Sequence, residues 1–335
     1  MGTQAATVVS GHIIEPCIIF MGTPEFAVPS LRALAQGPYR LTVITQPDRP
    51  SGRGGKQTPP PVKIAAQELD LPILQPVSLK DPDFRGRLAS IKPELTVLVA
   101  YGEYLALSLL DLPAHGSINL HPSLLPRWRG STPIQSPILE GDSVTGVTII
   151  RMDRGLDTGP IIAQKKVPLA HDETYKRLSE QLAQLGATLL VETIPGWLTG
   201  QIRAVPQPEE GVTLSRILTR EDGLIDWKMS AEQIWRRVRA LQPWPGTYTT
   251  WLDRTIKVLQ AQTVQLGEEQ AQVPGTVQVV RQGKTRRLLV WTGSGTLELQ
   301  QVQLTGKAPV EAQALLTGYP QIEGSVLGEA EVGGN

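Results

Sequence analysis

Short unbroken apolar runs alternate with longer mixed stretches through the first half of the chain. Cys17 to Met21, Leu41 to Thr45, Thr96 to Ala100, Ser117 to Leu120 and Val147 to Arg151 are rich in β-branched residues and read as strands. Runs such as Thr96-Val97-Leu98-Val99-Ala100 show no polar alternation, so both faces must be covered. That is the signature of a mostly parallel sheet with crossover helices, and the first half is expected to be an open α/β sheet. Behind the first strand, Gly22-Thr23-Pro24-Glu25-Phe26 predicts a helix start, with Thr23 as cap and Pro24 in the first helical position, running to about Gln36. The segment is not G-x-G-x-x-G, so a nicotinamide dinucleotide site has no fingerprint here.

Further along, Val205-Pro206-Gln207-Pro208-Glu209-Glu210-Gly211 is proline-rich, polar and aperiodic, which predicts a linker. Beyond it, Ser230-Ala231-Glu232-Gln233 has the capping-box pattern and opens a helix to about Leu241. Five strand candidates follow: Thr247 to Leu252, Thr255 to Val264, Gly275 to Arg281, Arg286 to Trp291 and Gly295 to Gln303. Short Gly-punctuated strands with one helix predict a small β-barrel. The expected division is an N-terminal extension over 1–16, an α/β domain over 17–204, a linker over 205–211, a β domain over 212–325 and a tail over 326–335.

Composition adjusts this picture only a little. A chain of 335 residues accommodates two domains, and 40% hydrophobic with 19% charged residues is ordinary for a globular protein. Basic and acidic residues both number 32, so any nucleic-acid partner must be met by local patches. The single cysteine, Cys17, excludes an internal disulfide, and its apolar setting predicts a buried strand thiol. No apolar run reaches the roughly 20 residues of a membrane helix, and residues 1–16 hold no Lys or Arg to start a secretory signal. A cytoplasmic protein without a membrane partner is the expectation.

The candidate chemistry sits at a strand end. In Asn119-Leu120-His121-Pro122, the two-residue period of a strand points Asn119 and His121 to one side. Some thirty residues later, Met152-Asp153-Arg154-Gly155-Leu156-Asp157-Thr158-Gly159-Pro160 places a carboxylate in a Gly-bounded loop after the next strand. An amide donor, an imidazole and a carboxylate suit acyl transfer to nitrogen: Asn119 and a protonated His121 to stabilise an oxyanion, Asp157 to favour the imidazolium and take up a proton through water. The same three residues also suit a plainer role, capping loops around a strand end. Of four histidines, His12, His115, His121 and His171, none stands in a paired ligand spacing, so no metal is expected.

Asn119-Leu120-His121-Pro122-Ser123-Leu124-Leu125-Pro126-Arg127-Trp128-Arg129-Gly130, Leu156-Asp157-Thr158-Gly159-Pro160 and Phe20-Met21-Gly22-Thr23-Pro24-Glu25-Phe26 resemble the formyltetrahydrofolate-dependent formyltransferases, and the resemblance covers most of the chain. It implies a Rossmann-like catalytic domain, a C-terminal OB-like barrel that binds tRNA, and Asn119, His121 and Asp157 as catalytic residues. It also implies 10-formyltetrahydrofolate as co-substrate, held by Ser123, Leu124, Leu125 and Pro126 and by Tyr101, Gly102 and Leu105. The family commonly has proline after the leucine where this chain reads Leu105-Ala106, and its first strand usually starts within a few residues of the initiator methionine, unlike here.

Family members differ in acceptor, among them a purine-pathway ribonucleotide amine and a nucleotide-linked amino sugar, and a hydrolytic relative uses water. Thr45-Gln46-Pro47-Asp48-Arg49-Pro50-Ser51-Gly52-Arg53-Gly54-Gly55-Lys56 resembles the loop by which the tRNA-acting members hold an acceptor stem, which implies phosphate contacts from Arg49, Arg53 and Lys56, with Arg53 the most important. Gly55 stands where the family often has a second Lys. Trp235-Arg236-Arg237-Val238-Arg239, Lys284, Arg286 and Arg287 add basic residues beside aromatics in the second domain, equally readable as solvated arginines around a buried Trp. The implied partners are reduced folate and initiator methionyl-tRNA, and a monomer is expected. Two other classes stay open at this point, a non-catalytic RNA-binding module and a nicotinamide oxidoreductase suggested by the sheet alone.

Overall fold

A computed structural model describes residues 7–9, 12–51, 55–265 and 272–329. The chain divides into two compact units: Met1–Pro133, Val144–Pro168 and Leu178–Ser215 form the first, and Ile134–Ser143, Leu169–Arg177 and Arg216–Asn335 form the second. Within residues 1–16, Thr7–Val9 and His12–Ile14 make a short antiparallel pair. Among the described residues no helix is long and apolar enough to cross a membrane.

The first unit is built on a seven-stranded sheet. From one edge it runs Ile161–Pro168, Val144–Arg151, Ser117–His121, Leu95–Val99, Cys17–Gly22, Arg40–Ile44 and Ile73–Leu74. The last five are parallel to one another, and each of the first two is antiparallel to the strand that follows it in this order. Cys17–Gly22 and Leu95–Val99 are buried at every position, as their unbroken apolar runs require when helices cover both faces. On one face Ile19, Met21, Ile44, Phe84, Leu88, Leu98, Tyr101 and Leu109 form a continuous core. Cys17 is a buried free thiol.

Two strands lack the expected signal. Ile73–Leu74 is only two residues long, and Ile161–Pro168 interrupts its buried positions with exposed Gln164, Lys166 and Pro168 because it is an edge strand. The helix start behind Cys17–Gly22 also differs from expectation. Thr23 does not cap it; its hydroxyl donates instead to the Tyr101 carbonyl at 2.9 Å. A 3-10 turn at Glu25–Ala27 precedes the α-helix Val28–Ala35.

The second unit holds an antiparallel sheet ordered Thr247–Trp251, Arg254–Val264, Thr296–Leu304, Thr285–Trp291 and Val277–Gln282, with Val310–Glu311 added beside Thr296–Leu304. A bulge at Val258 to Ala261 bends the longest strand. The sheet does not close into the expected barrel, since Thr247–Trp251 and Val277–Gln282 do not pair among the described residues. The backbone stretch 324–328 bonds to both edges instead. Its Gly324 and Leu327 amides donate to Val277 O and Gly275 O, and its Gly328 amide donates to Thr250 O. The helix Ala231–Ala240 starts from the predicted capping box: Ser230 Oγ accepts from Gln233 N while Gln233 Oε1 accepts from Ser230 N. Ile234 and Val238 of that helix pack with Trp227, Val258, Leu288 and Leu299 in the core of this unit.

Candidate active site

The strand Ser117–His121 lies between a parallel and an antiparallel neighbour, which fixes its register on both sides. Leu120 points away from the site and presses on the helix Tyr175–Leu198 at Gly186, where a Cβ would come within 2.4 Å of a Leu120 methyl carbon. Only glycine permits that approach. Asn119 and His121 project to the opposite face, as the strand period predicts.

Asp157 meets them there. Its Oδ2 lies 3.6 Å from His121 Nδ1, and its Oδ1 lies 3.5 Å from Asn119 Nδ2. Its carboxylate also accepts from the Gly130 amide, to Oδ2 at 2.9 Å. On the far side of the imidazole, His121 Nε2 is 2.9 Å from the Trp128 carbonyl oxygen. A carbonyl only accepts, so Nε2 carries a hydrogen and Nδ1 is the nitrogen turned to the carboxylate. The His121 and Asp157 side chains are 5% and 13% exposed, so their interaction is weakly screened by water. Asp157 has φ near +53°, and the conformation is held from outside: Gln207 Nε2 donates to Asp157 O at 2.7 Å and to Gly159 O at 2.8 Å.

The loop after the strand is held by a bond within it and by two side chains of the neighbouring strands. Ser123, fully buried, donates to Arg127 O at 2.6 Å, and Thr148 Oγ1 donates to Ser123 O and accepts from Leu125 N. Gln164 Nε2 closes the arrangement on Leu125 O at 2.7 Å. Of the residues implied for folate, then, Ser123 and Leu125 are buried and spent on loop shape, while Leu124 and Pro126 are half-buried. Tyr101, Gly102 and Leu105 leave the neighbouring parallel strand at the same end of the sheet. Gly102 is exposed, Leu105 is half-buried, and Tyr101 is buried with its hydroxyl pushed up to about 12 by desolvation and by the Glu103 charge.

Arg49 and Lys56 stand on a small hairpin, Arg49–Ser51 paired with Lys56–Thr58, after the next strand of the sheet. Both are exposed. Arg53 lies outside the described residues. Arg49 is not idle: it donates to Gln46 Oε1 at 2.6 Å, and Gln46 Nε2 in turn donates to Tyr101 O at 3.2 Å. In the second unit, the basic residues picked out for RNA are largely engaged. Arg236 bonds Glu232 and the Glu140 carbonyl, Arg237 the Asp222 carbonyl, and Arg239 the Glu173 carbonyl while stacking 3.9 Å from the Trp235 ring. Arg287 is paired with Glu298 and Arg286 bonds Thr317, whereas Lys284 is exposed at its hairpin.

Sequence reasoning missed four contributors: the Gly130 amide, the Trp128 carbonyl, Gln46 and Gln207. The first two are backbone groups with no side-chain signal. Gln46 and Gln207 are single amides whose partners lie 55 and 50 residues away.

A family model described as formyl transferase matches residues 17–194, and one described as formyl transferase, C-terminal domain, matches residues 217–320. The methionyl-tRNA formyltransferase of Chloroflexus aurantiacus is 43% identical over 302 residues, 90% of this chain and 96% of that protein. That of Symbiobacterium thermophilum is 45% identical over 304 residues, 90% of this chain and 92% of its own. Among solved structures, WlaRD, a sugar 3N-formyl transferase crystallised with dTDP and 5-N-formyl-THF, superposes with a TM-score of 0.61 at 18% identity, over 89% of this chain and all of that one. HypX from Aquifex aeolicus in complex with tetrahydrofolic acid does so with a TM-score of 0.60 at 16% identity, over 90% of this chain and 47% of that one. The two structures carry the fold alone, but the identity to the curated relatives extends through both units, and the chain belongs to the methionyl-tRNA formyltransferase family of formyl transferases.

Proposed function

We propose that the chain transfers the formyl group of 10-formyltetrahydrofolate to the α-amine of methionine esterified to initiator tRNA, giving N-formylmethionyl-tRNA. The observation that carries the reading is the convergence of Asn119, His121 and Asp157 on one point at a strand end. The contacts of Asp157 to His121 and Asn119, at 3.6 and 3.5 Å, are at the outer limit for hydrogen bonds. The Asn119 amide, and the Nδ1–H that His121 carries in its protonated form, can therefore turn onto an incoming oxygen. An imidazolium meets both of its neighbours, with Nε2–H on Trp128 O and Nδ1–H toward the Asp157 and substrate side.

In this reading the amine nitrogen attacks the formyl carbon and a carbon–nitrogen bond forms. The formyl oxygen becomes an oxyanion held by Asn119 and His121, a contribution of roughly 3 kcal/mol or more per donor. Asp157 receives the amine proton through a water. Collapse then breaks the bond from carbon to the folate N10, and that nitrogen takes up the proton. Tyr101, Gly102 and Leu105, with Leu124 and Pro126, offer an apolar wall and accessible backbone for the pterin, while Ser123 and Leu125 set the loop behind it.

The same reading makes Arg49, Arg53 and Lys56 the contacts to the acceptor stem, residues 17–204 the catalytic domain and 212–325 an OB-like, tRNA-binding domain. The protein acts in the cytoplasm as a monomer. The test is direct: purified chain with 10-formyltetrahydrofolate and methionyl-initiator tRNA must yield formylated aminoacyl-tRNA, and a preparation that binds folate but yields none refutes the assignment. The same assay with a nucleotide-linked amino sugar separates the competing acceptor. Loss of transfer with tRNA binding intact in His121→Ala excludes a purely RNA-binding role.

A further inference from the structure

The stretch from Val205 to Gly211 has the composition of a plain connector, yet one side chain in it is fully committed to the site. Gln207 Nε2 donates to Asp157 O at 2.7 Å and Gly159 O at 2.8 Å, and its Oε1 accepts from Arg129 Nε at 3.0 Å and from a terminal nitrogen of the same guanidinium at 2.7 Å. Both donors and both acceptor lone pairs of one amide are thus used. The amide orientation is set by the chemistry, since a guanidinium only donates and the two carbonyls only accept. Arg129 supplies a rigid planar fork that a lysine does not reproduce.

The neighbouring residue acts on the same aspartate from the other end. The Gly130 amide donates to Asp157 Oδ2, so the Arg129-Gly130 pair holds the carboxylate directly and the main chain of Asp157 through Gln207. The segment is itself anchored by paired backbone bonds between Val205 and Ile161, at 2.7 and 2.8 Å. Asp157 needs such support, because a non-glycine residue at φ +53° relaxes to another conformation unless its surroundings prevent it.

We propose that Gln207 is a positioning residue for Asp157, oriented by Arg129, so that the connector between the two halves of the sequence is part of the active-site architecture. The inference rests on the reading of Asp157 as catalytic.

It is tested with Gln207→Ala and Gln207→Glu, each in the wild-type and in the Asp157→Asn background, by formyl transfer to methionyl-tRNA with kcat and KM measured separately. Gln207→Glu keeps the partner for Arg129 but turns an oxygen onto two carbonyl oxygens, so it separates support of the Asp157 loop from simple filling of space. The expected result is a fall in kcat of about 10- to 100-fold for both variants, the cost of roughly an ångström of misplacement, with KM for folate and tRNA within about twofold. In the Asp157→Asn background the same changes are expected to add less than about threefold, because residues acting as a unit are non-additive. Arg129→Lys, which keeps the charge and loses the fork, is expected to show an intermediate loss and covers the case of an unstable Gln207 variant. The proposal is overturned by wild-type kcat in the Gln207 variants, by a loss confined to KM, or by a loss that carries over in full to the Asp157→Asn background. An inactive wild type or a fully active Asp157→Asn would overturn the parent reading as well, and is recognisable because neither protein is altered at Gln207.

Discussion

The sharpest prediction concerns Asp157→Asn. The substitution removes a negative charge 3.6 Å from His121 Nδ1 while leaving an oxygen to accept from the Gly130 amide. For an imidazolium and a carboxylate at that separation, the attraction is about 4 to 5 kcal/mol at an effective dielectric constant near 20. The mostly buried side chains make that value more appropriate than the water value. If three-quarters of it is expressed in the transition state, kcat falls by roughly 200- to 600-fold. The unfolding free energy is expected to change by no more than about 1 kcal/mol, because the structural hydrogen bond survives. The assay pairs turnover at saturating folate and methionyl-tRNA with urea unfolding of the same preparations. Turnover within tenfold of wild type would refute the electrostatic role of Asp157. Loss of activity together with loss of the cooperative unfolding transition would instead make it a structural residue.

Three further outcomes follow from the geometry. Gly130→Ala places a Cβ 2.4 Å from Ser215 O at a φ of +111°, so a loss of about 2 to 4 kcal/mol in urea unfolding is expected, and an unchanged midpoint would contradict the contact. Gln46→Leu removes one of two donors to the Tyr101 carbonyl and leaves the exposed Arg49 guanidinium to water, which predicts about 1 kcal/mol of destabilisation by the same measurement. Glu298 is held below the usual carboxylate range, first by its hydrogen bond from Arg287 and then by Gln262. A depressed carboxyl contributes stability above its unfolded value of about 4.3 and loses it as pH falls through the folded value, so Glu298→Gln is expected to flatten the acid limb of the stability profile below about pH 4.5 and leave its slope at neutral pH unchanged.

Much of the scaffold was legible because burial on both faces leaves a plain mark: Cys17 to Met21, Leu41 to Thr45 and Thr96 to Ala100 are strands within a residue or so of the expected bounds. Ile161–Pro168 escaped because an edge strand carries polar Gln164, Lys165 and Lys166 that break the apolar run. The placement of Asn119 and His121 followed from a period of two, which is local. What Asp157 would touch was not local: Gly130, Gln207 and His121 reach it from three other parts of the chain. Thr23 shows the same limit, since its hydroxyl could satisfy a helix end by the rules of local sequence but satisfies the Tyr101 carbonyl 78 residues away. The five strands of the second unit were found as short runs punctuated by glycine, whereas their failure to close depends on 324–328 occupying both free edges, and a glycine-containing stretch gives no such warning.

The way the two units interleave along the chain bears on how the protein can be taken apart. Ile134–Ser143 and Leu169–Arg177 precede the connector in sequence but belong to the second unit, where the Glu140 and Glu173 carbonyls accept from Arg236 and Arg239. A protease cutting near residue 211 therefore severs the polypeptide without releasing two complete bodies. The N-terminal fragment keeps two segments whose partners have left, and the C-terminal fragment keeps a helix whose Arg236 and Arg239 have lost the Glu140 and Glu173 carbonyls. Such fragments are natural candidates for complementation when mixed, and a truncation at the connector is a poor substitute for an isolated catalytic domain.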